Sequence, residues 1–209
     1  LVEPIQGEAG VKVPSPGYLK TAKAVCEKNN VLLMLDEVQT GFCRTGKMFA
    51  WMHEDAKPDI LMVGKALGGG VYPVSAALAS KDVMSVIGPG EHGSTFGGNP
   101  LACEVAMAAL DVLVDENLGE RAATLGERFR AGLRSIKTDK VKEIRGVGLL
   151  NAIEMHESAG KARQYTEKMK DLGVLAKETH ETTIRFAPPL VITEEQIDWL
   201  VEMIGKALV

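Results

Sequence analysis

The chain has 209 residues, 45% hydrophobic and 25% charged, with a mean hydropathy of +0.02. That is globular composition with room for a substantial core, and it excludes disordered, collagenous and coiled-coil classes. Twenty-four basic against 28 acidic residues leave a formal charge of −4, which argues against a surface built to track a nucleic-acid backbone. No apolar run approaches the roughly 20 residues that cross a bilayer.

In chain order, Leu1 to Gln6 reads as a strand already in progress, followed by the turn Gly7-Glu8-Ala9-Gly10, and the chain is therefore expected to be the C-terminal part of a longer protein. Pro14-Ser15-Pro16-Gly17 opens a helix with Leu19, Ala22 and Cys26 on its apolar side. Val31 to Leu35 is continuously apolar and stops at Asp36-Glu37, the pattern of a strand covered on both faces. Similar runs follow at Ile60 to Val63, stopped by Gly64-Lys65, and at Tyr72 to Ala79. This order predicts an α/β architecture with a mostly parallel sheet.

The second half changes character. Leu101, Val105, Ala108 and Val112, then Leu118, Ala122, Leu125 and Phe129, recur at helical spacing and predict two consecutive amphipathic helices. Glu143 to Met155 reads as a strand, Ala162 to Leu172 as a helix, and Val174-Leu175 and Ile184-Arg185-Phe186 as short strands. Thr193 and Gln196 form a capping box ahead of a last helix. A boundary is expected near residue 110, between an α/β unit (1–110) and a smaller α+β unit (111–209).

Several motifs fail their own tests. Gly88 to Gly93 fits G-x-G-x-x-G but follows a helix-like stretch instead of a strand, so it is not read as a dinucleotide turn. Gly64-Lys65 lacks the rest of a P-loop, and Gly93 to Gly97 misses the G-x-S-x-G register. The three His-Glu pairs do not close H-E-x-x-H, and no metal site is expected. Cys26, Cys43 and Cys103 are odd in number and widely spaced, as in a reducing compartment.

Two residues remain. Asp36 and Lys65 each close a strongly apolar strand, and open parallel sheets bind ligands at that edge. A lysine abutting a buried run, with Gly68-Gly69-Gly70 behind it, is one whose charge burial disfavours, the condition for a nucleophilic amine. The alternatives are a solvated lysine and a turn-forming aspartate, and spacing by itself leaves both open.

Leu35-Asp36-Glu37-Val38-Gln39-Thr40-Gly41, Arg44-Thr45-Gly46, Pro58-Asp59-Ile60, Gly64-Lys65-Ala66-Leu67-Gly68-Gly69-Gly70 and the run from His92 to Pro100 share an order and spacing with one known family. By these motifs the chain resembles the class III pyridoxal-phosphate aminotransferases over essentially its whole length. Glu3 to Gly10, Tyr72 to Ala76, Leu175 to His180 and Ile184 to Leu190 look most like the ornithine-acting branch. The implied fold is part of the large domain of a type I pyridoxal-phosphate transferase, plus a small C-terminal α+β domain.

The resemblance also implies roles. Lys65 would hold pyridoxal 5'-phosphate as a Schiff base and shuttle a proton. Asp36 would keep the pyridine nitrogen protonated through a charge-assisted hydrogen bond. Val38 would pack on one ring face and Gln39 would reach the phenolic oxygen. Thr95, with Ser94 beside it, would meet the cofactor phosphate of the neighbouring subunit, so a homodimer with a shared active site is expected. Arg185 would take the α-carboxylate of 2-oxoglutarate or glutamate. Glu8 would pair with Arg185 when ornithine is bound, so that the terminal amine reacts.

The implied reaction moves the δ-amino group of ornithine to 2-oxoglutarate, giving glutamate 5-semialdehyde and glutamate. Its rivals are acetylornithine or 4-aminobutyrate transamination, a related mutase, and an inactive piece. The family's glycine-rich phosphate cup and stacking aromatic lie upstream, so this chain by itself is expected to be inactive. Cys43 stands where the family commonly has glycine. Amino-acid and 2-oxo-acid substrates are expected, with no nucleic-acid or membrane partner. Low net charge and unpaired thiols fit the cytoplasm, and a mitochondrial matrix enzyme without its leader has the same composition.

Overall fold

Two apolar clusters organise the computed structural model, which describes residues 1–209. The first gathers around α1 (Tyr18–Lys28), β1 (Met34–Asp36), β2 (Ile60–Val63), β3 (Ala76–Ala79), a one-turn α2 (Lys81–Met84) and α3 (Pro100–Asp115). β1 and β2 pair in parallel and β3 runs antiparallel to β2, so the sheet within this chain is mixed. Leu35, Val63, Leu19, Phe42 and Leu113 form its buried centre. Gly17, which carries no capping side chain, starts α1. The Glu54 carboxylate replaces the missing cap, accepting from the amides of Gly17, Leu19 and Lys20 at 2.9, 2.9 and 3.2 Å.

Three expectations for this half need correction, the first being the run Tyr72 to Ala79, of which only Ala76–Ala79 pairs as a strand. Leu1 to Gln6 is not a strand, for only Val2 and Gln6 make isolated bridges, to Leu35 and Lys12. Pro4 has no amide to donate, and the Gly7 amide is taken by the Glu3 carboxylate at 3.0 Å. The run from Val31 is shorter than its apolarity predicts. Leu33 is buried but Val31 and Leu32 are exposed, and pairing begins only at Met34.

The second cluster fills α4 (Leu118–Ser135), β4 (Val141–Val147), β5 (Leu150–Met155), α5 (Ala162–Asp171), β6 (Lys177–Thr179), β7 (Thr183–Phe186) and α6 (Glu194–Leu208). Its antiparallel sheet has the order β4-β5-β7-β6, and the helices cover it. Phe129 meets Phe186 edge to face at 5.6 Å between centroids. The capping box forms as predicted, with Thr193 and Gln196 satisfying each other's amides. The stretch read as one strand is a hairpin that reverses at Gly148-Leu149. Val174 and Leu175 lie just ahead of β6, with Val174 buried and Leu175 exposed.

The clusters meet at a joint of backbone against backbone. An added Cβ at Gly126 of α4 would lie 1.9 Å from the Gly148 carbonyl oxygen. Gly148 itself has φ 56°, and its own Cβ would strike Thr45. Around it the Leu149 amide donates to the Arg44 carbonyl at 3.0 Å, and the Arg44 guanidinium donates to the carbonyls of Leu149 and Pro188 at 3.2 and 2.6 Å. Burial draws that guanidinium down to about 10.

Toward the far end of β5, Glu154 accepts from Lys142, Arg145 and Lys12, and these cations hold its carboxyl down at about 2. The folded value lies below the ordinary 4.5, so this contribution to stability is complete above that pH and fades as pH falls towards 2. Glu154→Gln is expected to lose about 2 kcal/mol near neutrality and to flatten the acid limb of stability, measured by urea unfolding from pH 7 to 3. Equal acid limbs would refute it.

Val71, Val86, Phe96, Leu101 and Val114 are exposed along the stretch from the loop after β2 to the end of α3. No helix is long and apolar enough to cross a membrane.

Candidate active site

Parallel pairing puts the C-terminal ends of β1 and β2 side by side. Asp36 is in register with Met62, and Lys65 follows β2 after Gly64. Lys65 opens a 3₁₀ turn (Lys65–Gly68) with φ 44°, a left-handed conformation that costs a non-glycine residue roughly 1–3 kcal/mol. Strain of that kind concentrates where a side chain must be aimed.

A cleft of about 370 Å³ lies between the two units, lined by Glu8, Val38, Gln39, Lys65, Arg44 and Arg185 among others. Five of the residues predicted from sequence thus converge from four segments. Glu8 sits on the turn after Gly7, Val38 and Gln39 follow β1, Lys65 follows β2, and Arg185 lies on β7. The Arg185 guanidinium donates to the Glu8 carboxylate at 2.6 Å and to the Gln39 amide oxygen at 3.1 Å. The Gln39 amide nitrogen completes the triangle by donating to Glu8 at 3.3 Å. The adjacent guanidinium lowers the Glu8 carboxyl, and Gln39 and the charge of Lys65 act in the same direction. The cation anticipated among the apolar residues of β7 is therefore paired.

Other expectations are met differently. Lys65 is exposed within this chain, so the burial expected of it is not met. The motif places the amine at the rim of the cleft. Gln39, expected to turn to a cofactor, is shared between Glu8 and Arg185. Asp36 lines a neighbouring hollow of about 500 Å³, and its carboxylate accepts from the Val38 amide at 3.0 Å. Ser94 and Thr95 are exposed outside the cleft, and the Ser94 hydroxyl accepts from the Gly97 amide at 2.8 Å. The larger hollow beside β7, about 780 Å³ against Trp199 and Leu175, has no titratable lining residue and offers no acid or base.

Sequence reasoning missed Glu37 and Arg44. Glu37, read as a polar strand stop, is fully buried; its carboxylate accepts from the Thr40 hydroxyl and the amides of Ala50 and Trp51 at 2.9, 2.6 and 2.9 Å. Burial raises its pKa against those bonds. It ties the loop after β1 to the 3₁₀ turn at Ala50–His53. Cys43, the departure noted above, is buried with φ 68°, a conformation that favours glycine.

Comparison with known proteins follows the same lines. The family described as aminotransferase class-III matches residues 1–208. An ornithine aminotransferase of Brevibacillus brevis is 56% identical over 208 residues, which are 100% of this chain and 51% of that protein. A solved ornithine aminotransferase from Toxoplasma gondii, described with partial occupancy of PLP at its active site, superposes with a TM-score of 0.95 at 52% identity, over 99% of this chain and 49% of that one. An acetylornithine aminotransferase from Elizabethkingia anophelis superposes with a TM-score of 0.94 at 56% identity, over 99% and 55%. The chain thus spans about half the length of the curated relatives it matches.

Proposed function

The chain belongs to the class III aminotransferases, and from that membership we propose that the full-length protein transfers the δ-amino group of ornithine to 2-oxoglutarate. The observation that carries this reading is the Glu8–Arg185 ion pair at 2.6 Å in one cleft with Lys65. A cleft that needed only to bind dicarboxylates would leave the guanidinium free. Here a carboxylate neutralises it, which suits a donor whose reacting end is an amine on an uncharged chain.

Pyridoxal phosphate is the cofactor of this family, and the residues present fit it. A primary amine and a carboxylate stand at adjacent parallel strand ends, and a Cβ added at Gly64 would meet Ser75 at 3.3 Å and the Val38 methyls at 3.6 and 3.7 Å. When bound, the cofactor supplies an electron sink for charge developing at the substrate carbon. Lys65 Nζ is the amine that would hold it and the base that would move the proton. Asp36 would keep a proton on its ring nitrogen, Val38 would support a ring face, and Gln39 would contact its phenolic oxygen. Arg185 would bind the carboxylate of 2-oxoglutarate once Glu8 gives way.

In the same reading the working protein is a cytoplasmic homodimer, with Thr95 and Ser94 of one subunit turned to the phosphate of the other. Residues 1–110 form the C-terminal portion of the cofactor-binding unit and 111–209 the small α+β unit. Two apolar clusters support two units, and because they part between Leu118 and Ala122, the end of α3 packs with the first and not with the second.

The test compares ornithine, acetylornithine and 4-aminobutyrate as donors to the full-length protein, with and without 2-oxoglutarate. Ornithine is expected to lead by at least about tenfold in kcat/KM, with strict dependence on the oxo acid. Glu8→Ala is expected to erase that lead in favour of α-amino donors. Preference for acetylornithine, to which the 56% identical solved relative owes its name, would replace the reading. Turnover without an oxo acid would point to a mutase.

A further inference from the structure

Glu8 has no rigid element of its own. It rides on a turn closed by one isolated bridge, Gln6 to Lys12, yet it must meet Arg185 at hydrogen-bonding distance. We propose that Arg145 is the positioning residue for amino-donor selectivity: it grips the Gly7–Lys12 turn by the carbonyls of Gly10 and Val11 and so keeps Glu8 opposite Arg185. This rests on the reading of Glu8 given above.

The register of the second sheet carries the argument. Arg145 on β4 is opposite Ala152 on β5, and Ala152 is opposite Arg185 on β7. Directly opposed residues of antiparallel strands project from the same face, so the two arginines stand on one face, two strands apart, about 10 Å at ordinary strand spacing. Between them Ala152 is small and fully buried, and Val11 packs on it together with Ile5 and Leu150. The turn therefore lies across this row with one arginine at each end.

At one end Arg185 takes the Glu8 side chain. At the other, Arg145 Nε donates to the carbonyls of Gly10 and Val11 at 3.0 and 3.1 Å, and one Nη donates to Gly10 at 2.7 Å. The second Nη is held by the carboxylates of Glu143 and Glu154, which fix the guanidinium in its plane. Arg145 is buried and spends every donor nitrogen on these partners.

The grip also accounts for a strained backbone. Val11 is β-branched, fully buried and at φ 52°, a conformation such residues rarely adopt. Its neighbour Gly10 has φ +100°, and a Cβ there would meet Thr183 and Arg145 at 3.3 and 3.4 Å. A turn held against its own preference relaxes when its anchor is weakened, and the first side chain to lose register is Glu8.

The test uses the full-length enzyme with its cofactor bound. Arg145→Lys keeps the charge but loses the planar fork, and Gly10→Ala disturbs the same contact from the turn's side should the first variant fold poorly. Each is made alone and together with Glu8→Ala, and kcat/KM is measured for ornithine and for glutamate as donors. Each single variant is expected to lower the ornithine-over-glutamate ratio about tenfold, mainly through KM for ornithine. In the Glu8→Ala background the same change should move that ratio by less than about twofold. An equal fall in both backgrounds, or no fall in either single variant, overturns the role of Arg145 while leaving Glu8 in place. A Glu8→Ala enzyme with unaltered donor preference removes the reading of Glu8 itself, and this role of Arg145 with it.

Discussion

Lys65→Ala is expected to cut turnover of the full-length enzyme by about 10⁴-fold or more and to abolish the absorbance of a lysine-bound cofactor. The loss follows from what the amine does, since no neighbouring group duplicates it. The other cations lining the cleft are Arg44, spent on backbone carbonyls, and Arg185, spent on Glu8 and Gln39. Lys65→Arg separates charge from nucleophilicity, because a guanidinium stays protonated at working pH. Both variants should fail alike if the reactive amine is the point, whereas Arg should recover activity if only positive charge matters. Neither should unfold the protein, because the side chain is exposed and alanine tolerates the left-handed turn as well as lysine does. Wild-type turnover in the alanine variant would remove Lys65 from the mechanism.

The largest stability effect is expected at Gly126, where two physical terms disagree in sign. Helix propensity predicts that alanine in the middle of α4 gains about 1 kcal/mol. The joint predicts the reverse, since the new methyl would sit 1.9 Å from the Gly148 oxygen. That oxygen also accepts from Arg130 at 2.9 Å and from Asn151 at 3.0 Å, so pushing it away disturbs two further bonds. Overpacking against backbone costs about 3 kcal/mol or more, and sterics should win. Gly119→Ala, in the same helix, is the control. Its Cβ would meet Cys43 Sγ and the Gly46 carbonyl oxygen, each at an ordinary 3.5 Å, and it should be neutral or gain up to about 1 kcal/mol. Denaturant midpoints of the two variants decide between the terms, and equal behaviour would refute the steric account.

Helices were the most legible part of the sequence. The spacing of Leu118 through Phe129 and the Thr193–Gln196 box are local signals, and both match the structure. β2 occupies the predicted run Ile60–Val63, because apolar residues bounded by turn formers need no distant information. Where a partner decides, the reading drifted. Val31 and Leu32 look like core but are exposed, and the β4–β5 reversal hides in Gly146-Val147-Gly148, which a single-strand reading absorbs. The cleft divides the same way. Lys65 and Asp36 were visible as strand-end chemistry, whereas Glu8 and Arg185 were paired only through a family resemblance. The roles of Arg44, Glu37 and Arg145 are not legible because these side chains bond mainly to backbone amides or carbonyls, and such partners leave no residue pattern to search for.

The exposed Val71, Val86, Phe96, Leu101 and Val114 carry a practical consequence. Single apolar residues on a surface are ordinary, but five large ones exposed within one stretch of chain add to its adhesive area. Purified on its own, this polypeptide should stick to itself and to resins, with light-scattering mass rising as it is concentrated, and colloidal behaviour will set the working concentration before unfolding does.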